Sequence, residues 1–167
     1  MNISDRCLLA IKHHEGVRTK PYLDHILLWT TGVGHLIAPP EHMKMKLEER
    51  KAARAAGLLT CPPEWNRTLT MEEVDEILRS DIRRFESGVS RFCPRGLNQG
   101  RFDALVSFSF NCGLGALQRS SIRMRHNREE YEDAADAILL YNKASGIVSK
   151  GLTRRRNEER AMYLSKG

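Results

Sequence analysis

Apolar residues recur at helical spacing over most of this chain and at strand-like spacing over one short stretch. Cys7, Leu8 and Ile11 share one face of a first helix. Ser4 caps it, and Gly16 stands where a left-handed residue closes a helix that stops just after Glu15. From Val17 to Ile37 the residues turn to strand formers, among them Tyr22, Ile26, Trp29, Thr30, Thr31 and Val33. Pro21, Gly32 and Gly34 punctuate them, and together they predict a small antiparallel sheet. Between Pro39-Pro40 and Pro62-Pro63 runs a helix-favouring stretch, Leu47 to Ala56, closed by Gly57; it reads either as an insertion beside a cleft or as a solvated amphipathic helix.

The strongest periodicity comes next. Thr70 and Glu73 form a capping box, and Val74, Ile77, Leu78, Ile82, Phe85, Val89 and Phe92 follow at steps of one, three or four. That is one helix of about 33 Å at 1.5 Å per residue, long enough to bridge two lobes, with Ser87-Gly88 a place to bend. Phe102, Leu105, Val106 and Ser109 mark another helix. Asn127 and Glu130 are expected to cap one that carries Tyr131, Ala134, Ile138 and Leu139 and ends near Gly146, and Thr153 to cap a last one reaching Leu164.

Composition narrows the class. The chain has 167 residues, 41% hydrophobic and 29% charged, which suits a globular protein and excludes fibrous or disordered classes. No apolar run approaches the roughly 18 to 20 residues that span a bilayer, and the acid in Met1-Asn2-Ile3-Ser4-Asp5-Arg6 is unlike a secretory leader, so cytoplasmic synthesis without processing is expected. Lys and Arg number 27 against 21 Asp and Glu, a net +6 that favours anionic polymers without saying which. Cys7, Cys61, Cys93 and Cys112 are scattered and read as reduced core thiols, with no metal-ligand spacing.

The chemistry concentrates in the first forty residues. Glu15 lies at a helix end, while Asp24 and Thr30 would flank a turn of the small sheet. Cleaving a glycosidic bond takes a protonated acid on the leaving oxygen and an ionised carboxylate that activates water. A half-buried acid in the last turn of a helix holds its proton more tightly, which suits Glu15 to the first role; Asp24 in an exposed turn suits the second, with the Thr30 hydroxyl helping to hold the water. His35 is expected to brace the glycine turn through a hydrogen bond.

The run Glu15-Gly16-Val17-Arg18, Lys20, Tyr22 and Asp24, followed by Thr30-Thr31-Gly32-Val33-Gly34-His35, resembles the phage-type lysozymes, glycoside hydrolase family 24. Phe110-Asn111 with Gly113, Ser120-Ser121-Ile122, and Gly151-Leu152-Thr153-Arg154-Arg155-Arg156 with Glu159 look like that family's second set of motifs. The resemblance covers most of the chain and leaves residues 38–66 unaligned. It implies an α+β, mainly α, two-lobed lysozyme-like fold within one domain. A small antiparallel β-sheet lobe (13–69) and a helical lobe (93–167 plus 1–12) would be joined by a long helix (70–92).

The resemblance also implies an endolysin that hydrolyses the β-1,4 bond between N-acetylmuramic acid and N-acetylglucosamine in peptidoglycan, with no cofactor or metal. Glu15 is then the general acid, and Asp24 with Thr30 positions water. Inversion requires the two carboxyls to stand roughly 6.5 to 9.5 Å apart. Asn111 and Ser121 become candidates for sugar acetamides, against capping or turn roles. One arginine of the 154–156 run would pair with the glutamate; Arg154 is the first choice, although the register admits the others. A solvated face with pairs Arg154–Glu158 and Arg155–Glu159 fits the same run. The implied protein is a monomer that waits in the host cytoplasm for a holin before reaching the wall, without stable membrane insertion or nucleic-acid binding. A lytic transglycosylase acting on the same bond, a zinc amidase and a basic helical nucleic-acid-binding module are the competing classes.

One position departs from the family. A glycine is usual three residues after the aspartate, and Leu27 stands there. Leucine resists positive φ, so the loop is expected to turn differently or to stay mobile, with Ile26, Leu27, Leu28 and Trp29 packing on the other lobe or touching sugar or membrane.

Overall fold

A computed structural model describes residues 1–166. The chain divides into two compact units, Glu15–Asp81 and a second formed by Met1–His14 with Ile82 onward. No helix among the described residues is long and apolar enough to cross a membrane.

The first helix, α1 (Asp5–Glu15), buries Cys7, Leu8 and Ile11 and starts where the Ser4 hydroxyl accepts the Cys7 N–H at 3.2 Å. It ends as expected, with Gly16 at φ 79°. Strands β1 (Arg18–Leu23), β2 (Trp29–Gly32) and β3 (His35–Leu36) form an antiparallel sheet in sequence order. Between the pairs Arg18↔Gly32 and Tyr22↔Thr30 the register shifts. Pro21, which has no N–H to donate, lies in this shifted stretch, where the Thr19 carbonyl accepts Leu69 N–H at 2.8 Å instead of a strand partner.

Two short helices, α2 (Pro40–Lys44) and α3 (Leu47–Ala55), and a 3-10 turn at Pro63–Trp65 complete this unit ahead of the long helix. α4 (Met71–Phe92) opens on the expected reciprocal cap: Thr70 Oγ1 accepts Glu73 N–H at 3.1 Å and Glu73 accepts Thr70 N–H at 2.8 Å. The helix is continuous through Ser87-Gly88. Its first half belongs to one unit and its second half to the other.

The helical unit is built around α5 (Gln99–Cys112), buried from Phe102 to Ser109, with α6 (Leu114–Arg119), α7 (Ser121–Asn127), α8 (Tyr131–Ile138) and α9 (Lys150–Leu164). Three expected punctuation marks fall elsewhere. Asn127 does not cap α8; its amide donates to the Phe92 carbonyl at 2.9 Å and so satisfies the end of α4. Gly146 is eight residues past the end of α8, in the turn of a small exposed hairpin formed by β4 (Lys143–Ala144) and β5 (Ile147–Val148). Ser149 caps α9 by accepting Leu152 N–H, and Thr153 lies inside the helix with its hydroxyl turned back to the Ser149 carbonyl.

The cysteines also differ in part from the expectation. Cys7 and Cys93 are fully buried, and burial pushes the Cys93 thiol up to about 12, whereas Cys61 and Cys112 are only half-buried; none is in a disulfide.

Candidate active site

Glu15, Asp24, Thr30 and His35 all fall in the Glu15–Asp81 unit, while Asn111, Ser121 and Arg154 belong to the helical unit. Glu15 is the last residue of α1, three residues ahead of the start of β1, and it is exposed; the half-burial expected of it is not found.

Asp24 organises the hairpin between β1 and β2. Its Oδ1 accepts the N–H groups of Ile26 (3.0 Å) and Leu28 (2.8 Å). Its own N–H donates to the Leu28 carbonyl and its carbonyl accepts Leu27 N–H, each at 3.0 Å. Four hydrogen bonds therefore fix one carboxylate oxygen and the backbone on both sides of it. Among the described residues no partner meets Oδ2, which is the oxygen left to bind water.

The loop contradicts the expectation placed on it. Leu27 takes the left-handed conformation after all, at φ 61°. For an L-residue that conformation costs about 1–2 kcal/mol, and the Asp24 bonds, together with Leu28 anchored at 9% exposure, impose it. Within its own unit, the Trp29 indole N–H donates to the Leu59 carbonyl at 3.2 Å.

Thr30 pairs with Tyr22 across the hairpin and is 4% exposed. Its hydroxyl donates to the Leu28 carbonyl at 3.1 Å. With the proton committed there, the oxygen's lone pairs are left to accept from water.

His35 Nδ1 lies 2.9 Å from Asp81 Oδ2, and because a carboxylate accepts, the ring N–H donates. The imidazole also packs against Trp65, ring centres 5.3 Å apart. It ties β3 to α4 across a turn in which Gly32 and Gly34 both have positive φ (61° and 68°). Asp81 was not legible as its partner, since nothing in the periodicity of α4 distinguishes it from other polar positions.

In the helical unit, Asn111 is exposed and its Oδ1 accepts from Arg156 at 3.0 Å. Ser121 is the first residue of α7, half-buried; the cap there is Ser120, which accepts Arg123 N–H at 3.2 Å. The arginine run divides by burial. Arg154 is exposed, whereas Arg155 and Arg156 are buried and converge on Glu159, itself 1% exposed. Arg155 Nε is 3.2 Å and Arg156 Nε 2.8 Å from that carboxylate, and Ser107 donates to it at 2.8 Å. Arg155–Glu159 thus forms as expected, but Glu158 pairs with His14 at 2.7 Å, which replaces the expected Arg154–Glu158 contact.

A three-stranded sheet entered directly from a helix ending in glutamate, with an aspartate in the turn of its first hairpin and a threonine on the second strand paired with Tyr22, sits here in a mainly helical chain whose fold is that of the lysozymes. The phage lysozyme family model matches residues 12–159, and the chain belongs to that family.

The endolysin of Salmonella phage P22 is 34% identical over 165 residues, covering 99% of each chain. That of Bacillus phage B103 is 32% identical over 99% of this chain but only 55% of its own length, so the chain spans about half of that relative. A crystal structure of a P22 lysozyme variant superposes with a TM-score of 0.77 at 32% identity over 99% of both chains. The muramidase domain of SpmX from Asticaccaulis excentricus does so at 0.76 and 27% identity over 98% of both.

Proposed function

We propose that this chain is a phage endolysin, a muramidase that hydrolyses the β-1,4 bond between N-acetylmuramic acid and N-acetylglucosamine in peptidoglycan with inversion. Glu15 donates a proton to the leaving glycosidic oxygen. Water bound between Asp24 Oδ2 and the Thr30 oxygen gives its proton to Asp24 and attacks the anomeric carbon from the opposite face. The observation that carries the reading is the Asp24 hairpin: one carboxylate oxygen is pinned by two backbone N–H groups, the other is open, and a hydroxyl across the strand pair can only accept. Family membership over residues 12–159 supports the substrate class.

His35 serves the site by bracing the turn behind Thr30. Asn111, Ser121 and Arg154 are substrate-facing or supporting positions in this reading, and the enzyme works as a monomer without a cofactor. A holin gives it access to the wall. Relatives named SAR-endolysins, such as that of Haemophilus phage HP1 at 27% identity, make export an alternative to holin release.

Turbidity loss of purified walls tests the assignment. Glu15→Gln and Asp24→Asn should each lower activity by at least about 100-fold at unchanged Tm. Full activity in Glu15→Gln would end it.

A further inference from the structure

Leu27 is the one residue of the Asp24 loop whose backbone conformation opposes its side chain. It adopts φ 61° beside a carboxylate that already fixes the loop through the N–H groups of Ile26 and Leu28. The turn does not need leucine: glycine takes this conformation without a Cβ penalty, and asparagine tolerates it. Nor does the core need it, because the buried anchor is Leu28, at 9% exposure, while Leu27 and Ile26 are left partly open. A strained, partly exposed apolar side chain adjoining a catalytic carboxylate has a use outside the fold.

We propose that Leu27 is a substrate-contacting residue, with its isobutyl group, beside Ile26, forming an apolar wall next to Asp24 against the C–H face of a sugar ring or an N-acetyl methyl group. This rests on the muramidase reading for the identity of the sugar. The strain is retained because the side chain that causes it binds substrate.

Two other positions carry a left-handed non-glycine residue, Glu129 (φ 64°) and Ser145 (φ 50°), and Glu129 supplies the control. The test pairs stability with wall affinity and needs no turnover. Leu27→Gly, Leu27→Asn and Glu129→Gly are made in a Glu15→Gln background, and each protein is sedimented with purified peptidoglycan. Both Leu27 variants should lose about fivefold in wall affinity. Leu27→Gly should gain about 2–4 °C in Tm as strain is released, and Glu129→Gly should gain Tm while binding walls like its parent. Unchanged affinity in both Leu27 variants overturns the proposal, as does an equal loss in Glu129→Gly. Loss in Leu27→Gly but not in Leu27→Asn also overturns it, since that would place the effect in loop stiffness. Because binding is read without cleavage, an inactive wild type would count against the hydrolase reading alone.

Discussion

Single side chains in this protein are placed by which of their atoms are already committed. Asp24 spends one oxygen on the loop and keeps the other, and Thr30 spends its proton on Leu28 and keeps its lone pairs. His126 shows the same logic in the core. It is fully buried, Nε2 faces the Arg95 carbonyl at 2.8 Å and Nδ1 faces the Tyr163 hydroxyl. Since the carbonyl can only accept, Nε2 carries a proton, and in the neutral ring that burial favours Nδ1 then accepts from the tyrosine hydroxyl. Burial lowers its pKa below 6.5, against the pull of the Arg95 carbonyl and with the help of Arg101. The unfolded chain therefore takes up a proton first as pH falls below about 6.5, so the stability this ring contributes is complete above that pH and lost below it, by at most about 1.4 kcal/mol per pH unit. His14, also lowered by burial although Glu158 opposes it, adds in the same sense. Urea unfolding between pH 7 and pH 5 should show the decline in wild type and a flatter profile in His126→Gln; equal slopes would refute the neutral buried ring.

Elements are held by a few polar knots set in apolar faces. The largest is in α9, where Glu159 gathers Arg155, Arg156 and Ser107 while Arg156 reaches on to Asn111 at the end of α5. Removing the anion leaves two buried guanidinium groups without it, so Glu159→Gln should cost about 3–5 kcal/mol in urea unfolding. Glu158→Gln, which breaks a half-exposed pair with His14, should cost no more than about 1 kcal/mol. Similar losses in the two would show that the knot is not structural. Periodicity and caps made most elements legible: α1, the three strands and the reciprocally capped α4 follow from local chemistry alone. The misplaced caps at Asn127 and Thr153 have different causes. Asn127 serves the Phe92 carbonyl at the end of α4, 35 residues away in sequence, whereas Thr153 turns its hydroxyl back to the Ser149 carbonyl that its own N–H already meets, Ser149 having taken the cap. At Leu27 the converse holds: propensity argues against positive φ, and the backbone N–H groups of Ile26 and Leu28, donating to the Asp24 carboxylate, override it.

At the scale of the whole molecule, the family is legible because its motifs are local in sequence, whereas the division into units is less so. Residues 15–81 form one unit, and α4 is shared between the two at Asp81, where the sequence suggested a separate connecting helix. The apolar stripe of α4 runs unbroken from Val74 to Val89, so no change of pattern marks the crossing. Charge acts at this scale too, the net +6 favouring anionic polymers as a class. In the proposed mechanism two carboxylates with different duties cut one sugar linkage by a single displacement. Proton NMR of the first sugars released from purified walls reads this directly. Hydrolysed N-acetylmuramic acid ends should appear first as the α-anomer, with mutarotation following; a β-anomer first, or 1,6-anhydro ends, would contradict the single displacement.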